Sequence, residues 1–158
     1  MIILDTNVLS ELMRNKPNPS VVGWIGKHKA TSLFITTLTQ AEIFYGLEIL
    51  SLSKRRTSLI AAATSMFELD FSGRILPFDT DAAKIFVTIA AKRRAIGRPI
   101  SQNDGETRRG FLAMCNRHVD AQIAAISISH NAALATRNIR DFEECDLDLI
   151  NPWQTEYF

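Results

Sequence analysis

Asp5, Glu42, Asp120, Asn138 and Asp141 are the side chains of this sequence whose types and positions could do chemistry together. Asp5 follows a first apolar run, Glu42 starts the helix after a second, Asp120 starts an apolar helix, and Asn138 and Asp141 follow a later apolar run. Carboxylates gathered in one crevice repel one another unless a cation is present. The candidate donors are all oxygens, with no histidine or cysteine among them, which selects a hard cation, Mg²⁺ or Mn²⁺, over zinc. A hard ion held by a few carboxylates can bind a phosphate oxygen, activate water and stabilise a leaving oxygen. The chemistry would be phosphoryl transfer to water. Each residue also has a plainer reading. Asp5, Thr6 or Asn7 would cap the helix that follows, Asp120 would cap another, and Thr39 with Glu42 spells a capping box.

The elements that must position these residues are legible as alternating apolar runs. Met1-Ile2-Ile3-Leu4 runs straight into Asp5-Thr6-Asn7, and helical spacing resumes at Val8. A short apolar run bounded by turn formers reads as a buried strand of a parallel sheet. Its carboxyl end is where ligands bind in open α/β sheets. Lys16-Pro17-Asn18-Pro19-Ser20 is a turn before a short helix carrying Val21, Val22, Trp24 and Ile25. Ser32–Thr36 is a second strand. Ile43, Phe44, Leu47 and Leu50 form a helical stripe, and another helix opens at Lys54-Arg55-Arg56. Arg74–Phe78 is a short strand. Asp79 and Asp81 begin a helix that ends in Lys92-Arg93-Arg94, with Gly97 as its stop.

Residues 101–119 are the least regular stretch, read as a loop with one helical turn or a short surface helix. Asp120 then opens a helix apolar nearly all round, hence buried. Ala132–Thr136 is a strand, residues 137–142 a polar loop, and Leu147–Ile150 a last edge strand. The pattern predicts an α/β domain with a mostly parallel sheet of four or five strands flanked by helices.

With 158 residues, 46% of them hydrophobic, the chain is expected to be one domain, 1–158. A net charge of +1 neither favours nor excludes nucleic acid. Cys115 and Cys145 form no CxxC pair, which suggests a reducing cytosol without structural zinc. Asp5 interrupts the first apolar run too early for a signal peptide. No stretch approaches the roughly 18 apolar residues of a membrane span. A cytoplasmic protein is expected. A glycine-rich phosphate loop is absent from the sequence, against a nucleotide-binding P-loop or dinucleotide fold.

Ile3–Glu11 resembles the opening of PIN-domain toxins of the VapC type, including the FitB-like branch. Further matches are Thr36–Glu42 with Gly46, Arg74–Asp79, Gly97–Ser101, Asp120–Ala125, Ala135–Phe142 and Asn151-Pro152-Trp153. The resemblance implies a three-layer PIN-like fold and a Mg²⁺- or Mn²⁺-dependent endoribonuclease, the toxin of a type II toxin–antitoxin pair. It implies that Asp5 and Asp120 bind metal and that Glu42 and Asp141 complete the acidic cluster. Thr6, Asn7, Thr136 and Asn138 would support it. It also implies an RNA substrate, a cognate antitoxin across the site, operator DNA bound only through that antitoxin, and a homodimer.

The sequence departs from the family in two places. Asn138 is an amide where an acid often stands, and Asp141 is its substitute. The family's spacing would put a metal-binding Asp at Asp104, whereas the Asp-Ala-Gln-Ile-Ala-Ala signature begins at Asp120. Residues 104–119 therefore read as an insert beside the site, where Arg108, Arg109 and Arg117 could meet RNA phosphate or antitoxin. The rival reading is a binding module that dimerises and holds a partner without cleaving RNA. A phospho-accepting receiver domain is a weaker alternative, lacking the adjacent acidic pair and the later lysine.

Overall fold

The computed structural model describes the backbone of residues 1–97, 100 and 108–154, and the side chains of these apart from 108–117. Five strands pair in parallel: β1 (Ile2–Leu4), β2 (Leu33–Thr36), β3 (Ile75–Leu76), β4 (Ala133–Ala135) and β5 (Leu149–Ile150). Their order across the sheet is β3-β2-β1-β4-β5. The first strand is therefore central, with Ile2 opposite both Leu33 and Ala133. As expected, the last strand lies at an edge.

Successive strand residues point to opposite faces, and β1 uses both. Ile3 joins a core built with Leu134 and the helices α5 (Thr80–Ala95) and α6 (Arg108–Ser129). Leu4 joins the opposite core, with Ile35 and side chains of α1 (Thr6–Leu12), α2 (Pro19–Gly26), α3 (Thr37–Glu48) and α4 (Lys54–Ser65). Both residues are at most 1% exposed. Helices thus cover both faces, giving the three layers expected. A strand this short can be central only because every residue beside it is apolar or small.

Local chemistry sets the helix starts. Asn18 caps α2 through the Ser20 amide, with Pro19 in its first turn. Asp79 caps α5 by accepting from the Asp81 and Ala82 amides. Gly97, at φ +74°, turns the chain just past the end of α5, a conformation that only glycine takes without strain.

Two expectations about helix starts fail. The cap of α3 is Thr36, whose Oγ accepts from the Thr39 amide at 3.0 Å, so Thr39 lies inside the helix and Glu42 is in no capping box. Thr36 is the last residue of β2, and the chain leaves strand for helix with no intervening loop. The second concerns Asp120. It caps nothing, because α6 runs unbroken from Arg108 and carries Asp120 in its middle. Residues 108–119 are therefore helix rather than loop. Asp104 and the side chains of Arg108, Arg109 and Arg117 lie outside the described residues.

Candidate active site

Asp5 sits at the carboxyl end of the central strand, held there by its amide, which donates to the Ala135 carbonyl at 2.9 Å. It is also the N-cap of α1, so the capping and site readings hold for the same residue. Its carboxylate is 4% exposed and fully engaged. Oδ1 accepts from the Thr6 amide at 2.7 Å, while Oδ2 accepts from the Thr136 hydroxyl at 2.7 Å and from the Asn7 amide side chain. Asn7 Nδ2 also reaches Thr136 Oγ at 3.1 Å, and Asn7 Oδ1 accepts from the Arg137 amide at 3.0 Å. The Asn138 amide closes the network on Thr136 Oγ at 3.0 Å. These bonds lock the ends of β1 and β4 together and fix one carboxylate in one orientation.

Glu42 approaches from α3. Its Oε2 accepts from the Thr6 hydroxyl, which ties α3 to the first turn of α1. Burial raises the Glu42 pKa, and the nearby Asp5 charge pushes it the same way. Asp5 is itself raised, mainly by burial, against the hydrogen bonds it accepts.

Asp120 responds most to its neighbours. Burial comes first, and the charges of Asp5, Asp141 and Glu42 add to it, so its carboxyl is pushed up to about 8. Only Arg93 opposes the rise among the main causes. Asp141 adds its charge from the turn Ile139–Asp141 that follows β4. The charges of Asp5, Asp141 and Glu42 thus all bear on Asp120.

A carboxylate with a structural task behaves in the opposite way. Glu11 accepts from the Asn18 amide at 2.9 Å and from Arg14 at 3.0 Å, and these donors hold its pKa below the usual value. Glu11 has its donors in the protein; Asp120 has mostly like charges.

Among the described residues, no three of His, Cys, Asp and Glu stand close enough together to cage an ion. The donor chemistry still fits Mg²⁺ or Mn²⁺. Magnesium in particular is commonly held by one or two carboxylates and completes its shell with water and substrate phosphate. Asp5 and Asp120 are the pair that could serve.

Arg93 is the site residue that sequence reading missed. The Lys92-Arg93-Arg94 triplet suits the helix dipole at the end of α5, and that explanation hid the middle member. A signal was available, because position 93 continues the buried stripe of Ala82 and Ile89. A cation on an apolar stripe needs a partner inside.

Two openings flank the cluster. A groove of about 620 Å³ has Met13, Ile43 and Leu47 in its lining, Arg14 and Arg55 among its charged residues, and Glu42 at one end. A second cleft of about 480 Å³ is lined by Arg137, Asn138, Arg140 and Asp141.

The family model described as PIN domain matches residues 2–146. The chain is 34% identical to "VapC ribonuclease Y4jK" of Sinorhizobium fredii, covering 98% of this chain and 99% of that one. It is 32% identical to "Toxin FitB" of Neisseria gonorrhoeae, covering 97% and 99%. The solved structure of FitAcB from N. gonorrhoeae superposes with a TM-score of 0.81 at 31% identity, covering 98% of this chain and all of that one. A FitAB complex bound to a DNA fragment gives 0.83 at 31%, covering 99% of both.

Proposed function

The chain belongs to the PIN-domain family, and from that premise we propose that it is the toxin of a type II toxin–antitoxin pair and hydrolyses RNA as a Mg²⁺- or Mn²⁺-dependent endoribonuclease. What supports this reading most is the buried Asp5 carboxylate at the end of the central strand, with Glu42 tied to the adjoining Thr6 and the Asp120 pKa raised by burial and by the charges of both.

In this reading Asp5 and Asp120 hold the metal. A bound ion would supply phosphate binding, activation of water and charge stabilisation at the leaving oxygen. Glu42, held by Thr6, orients the attacking water. Asp141 completes the acidic cluster and takes the place of the acid missing at Asn138. Thr6, Asn7 and Thr136 keep the Asp5 carboxylate from rotating. No side chain forms a covalent intermediate. The whole chain acts as one domain, in the cytoplasm, as a homodimer. Among the described residues no helix is long and apolar enough to cross a membrane.

The FitAB and FitAcB structures are the support for a protein partner. Here the groove ending at Glu42 is the seat proposed for a cognate antitoxin, its apolar floor taking an anchor and its arginines an acidic rim. Operator DNA would be bound only through that partner. A Cβ added at Gly46, which lines the groove, meets nothing within 4 Å. Gly46→Trp is therefore expected to keep the fold and to weaken antitoxin binding by about tenfold or more, roughly 1.4 kcal/mol. Calorimetry with the two purified proteins measures it, and unchanged affinity would move the antitoxin elsewhere.

Cleavage of a mixed RNA pool by antitoxin-free protein, with Mg²⁺, Mn²⁺ or chelator, tests the function itself. Metal-dependent fragments support the nuclease. A folded protein that binds neither metal nor RNA would leave the binding module.

A further inference from the structure

Of the triplet that closes α5, only the middle member is turned inward. Arg93 is 8% exposed, between exposed neighbours. Its Nη2 donates to the main-chain carbonyl of Asp141 and lies 3.6 Å from Cys145 Sγ. These two contacts span the segment that follows β4. Within it the Asp141 amide donates to the Asn138 carbonyl at 3.1 Å, the Phe142 amide to Ile139 at 3.0 Å, and the Cys145 amide to Phe142 at 2.9 Å. Phe142, fully buried, anchors the segment from below.

Among the described residues no carboxylate is within ion-pair distance of the guanidinium. Burying an arginine without such a partner is costly, and an apolar side chain would fill the position at lower cost. The placement therefore calls for a task. The planar fork offers several donors in fixed directions, suited to gripping a carbonyl from a neighbouring helix. The carbonyl it grips belongs to a residue of the acidic cluster.

We infer that Arg93 is a positioning residue, which holds the Ile139–Asp141 turn to α5 through the Asp141 carbonyl and so fixes where Asp141 stands beside the acidic cluster. The inference rests on the metal-dependent reading above. It also makes the sign of a substitution informative. At a pH where the carboxylates are ionised, the Arg93 charge repels a bound cation, so removing charge alone would tighten metal binding. Releasing the turn would let Asp141 swing away and weaken it.

The test is a Mn²⁺ titration by calorimetry on chelator-stripped full chain: wild type, Arg93→Lys and Arg93→Met, each also in an Asp141→Asn background. Arg93→Met is expected to bind Mn²⁺ about tenfold more weakly, the scale of losses when groups behind metal ligands are removed. Arg93→Lys should fall between, since an ammonium can donate to the same carbonyl but not from a fork. In the Asp141→Asn background both effects should vanish, the non-additivity expected of residues acting through one another. In RNA cleavage kcat should fall with KM unchanged. Equal or tighter Mn²⁺ binding by Arg93→Met overturns the inference, as does an undiminished loss in the Asp141→Asn background. If Arg93→Met fails to fold, the Arg93→Lys cycle decides alone. Wild type that binds no Mn²⁺ overturns the functional reading and this inference with it, whereas wild-type binding left unchanged in the variants overturns the inference only.

Discussion

Asp120→Asn is expected to lower metal-dependent RNA cleavage by about a hundredfold or more, the scale seen when one charge-stabilising group is removed, while making the metal-free protein more stable near pH 8. The two effects share one cause. Asp120 has its carboxyl pushed up to about 8 by burial and by three neighbouring carboxylates. An isosteric amide removes that repulsion and, with it, the carboxylate proposed to hold the metal. Function and stability oppose each other here, as they do wherever a site stores unfavourable charge. Asp5→Asn should be equally inactive but without the gain, because its two oxygens accept from Thr6, Asn7 and Thr136. An amide nitrogen there would face a donor. RNA cleavage and thermal unfolding on the same preparations separate the cases. An active Asp120→Asn beside an inactive Asp104→Asn would transfer the ligand to Asp104.

The second large effect is on stability against pH in chelator. The Asp120 carboxyl binds its proton more tightly folded, at about 8, than at its ordinary value of 3.8. A raised acid contributes stability that is fully present below the lower value and is lost as pH rises through the upper one. Metal-free protein should therefore lose melting temperature steadily from pH 5 to pH 8, with a slope of at most about 1.4 kcal/mol per pH unit for one whole proton. Asp5 and Glu42 are raised too and act in the same direction. Mg²⁺ or Mn²⁺ should cancel the slope, contributing about 2.7 kcal/mol at a hundred times its Kd. Calorimetric melting at several pH values, with and without metal, reads both. A flat profile for the metal-free wild type would mean that the carboxylates do not feel one another.

The sheet and its flanking helices were legible because each apolar run has the length and borders of one element. Asp5 was legible for the same reason, since a strand of four apolar residues can end in only one place. Misreadings arose where two local patterns used the same letters. Thr39-Gln40-Ala41-Glu42 spells a capping box, yet Thr36 lies at the end of the buried strand and takes the cap first. Asp120 has a cap's identity but sits in the middle of a 22-residue helix, a length that its polar first half does not advertise. Arg93 was hidden by a correct rule, that cations favour helix ends, which applies to its two neighbours and not to it. In all three the deciding information is tertiary: which side of the element the rest of the chain covers.

The hydrogen bond from Thr136 to Asp5 joins residues 131 positions apart. Asp5 follows β1 directly, but the partner strand β4 comes only after α1–α6. Contacts of such long sequence separation form late, because the loop between them must be closed before they return anything. A growing chain on the ribosome, folding from its N-terminal end, can therefore cover one face of β1 with α1–α4 long before Asp5 meets Thr136. Until β4 has paired, the carboxylate has only its local donors, the Thr6 amide and the Asn7 side chain. Completion of the Asp5 network therefore waits on the pairing of β4 with β1.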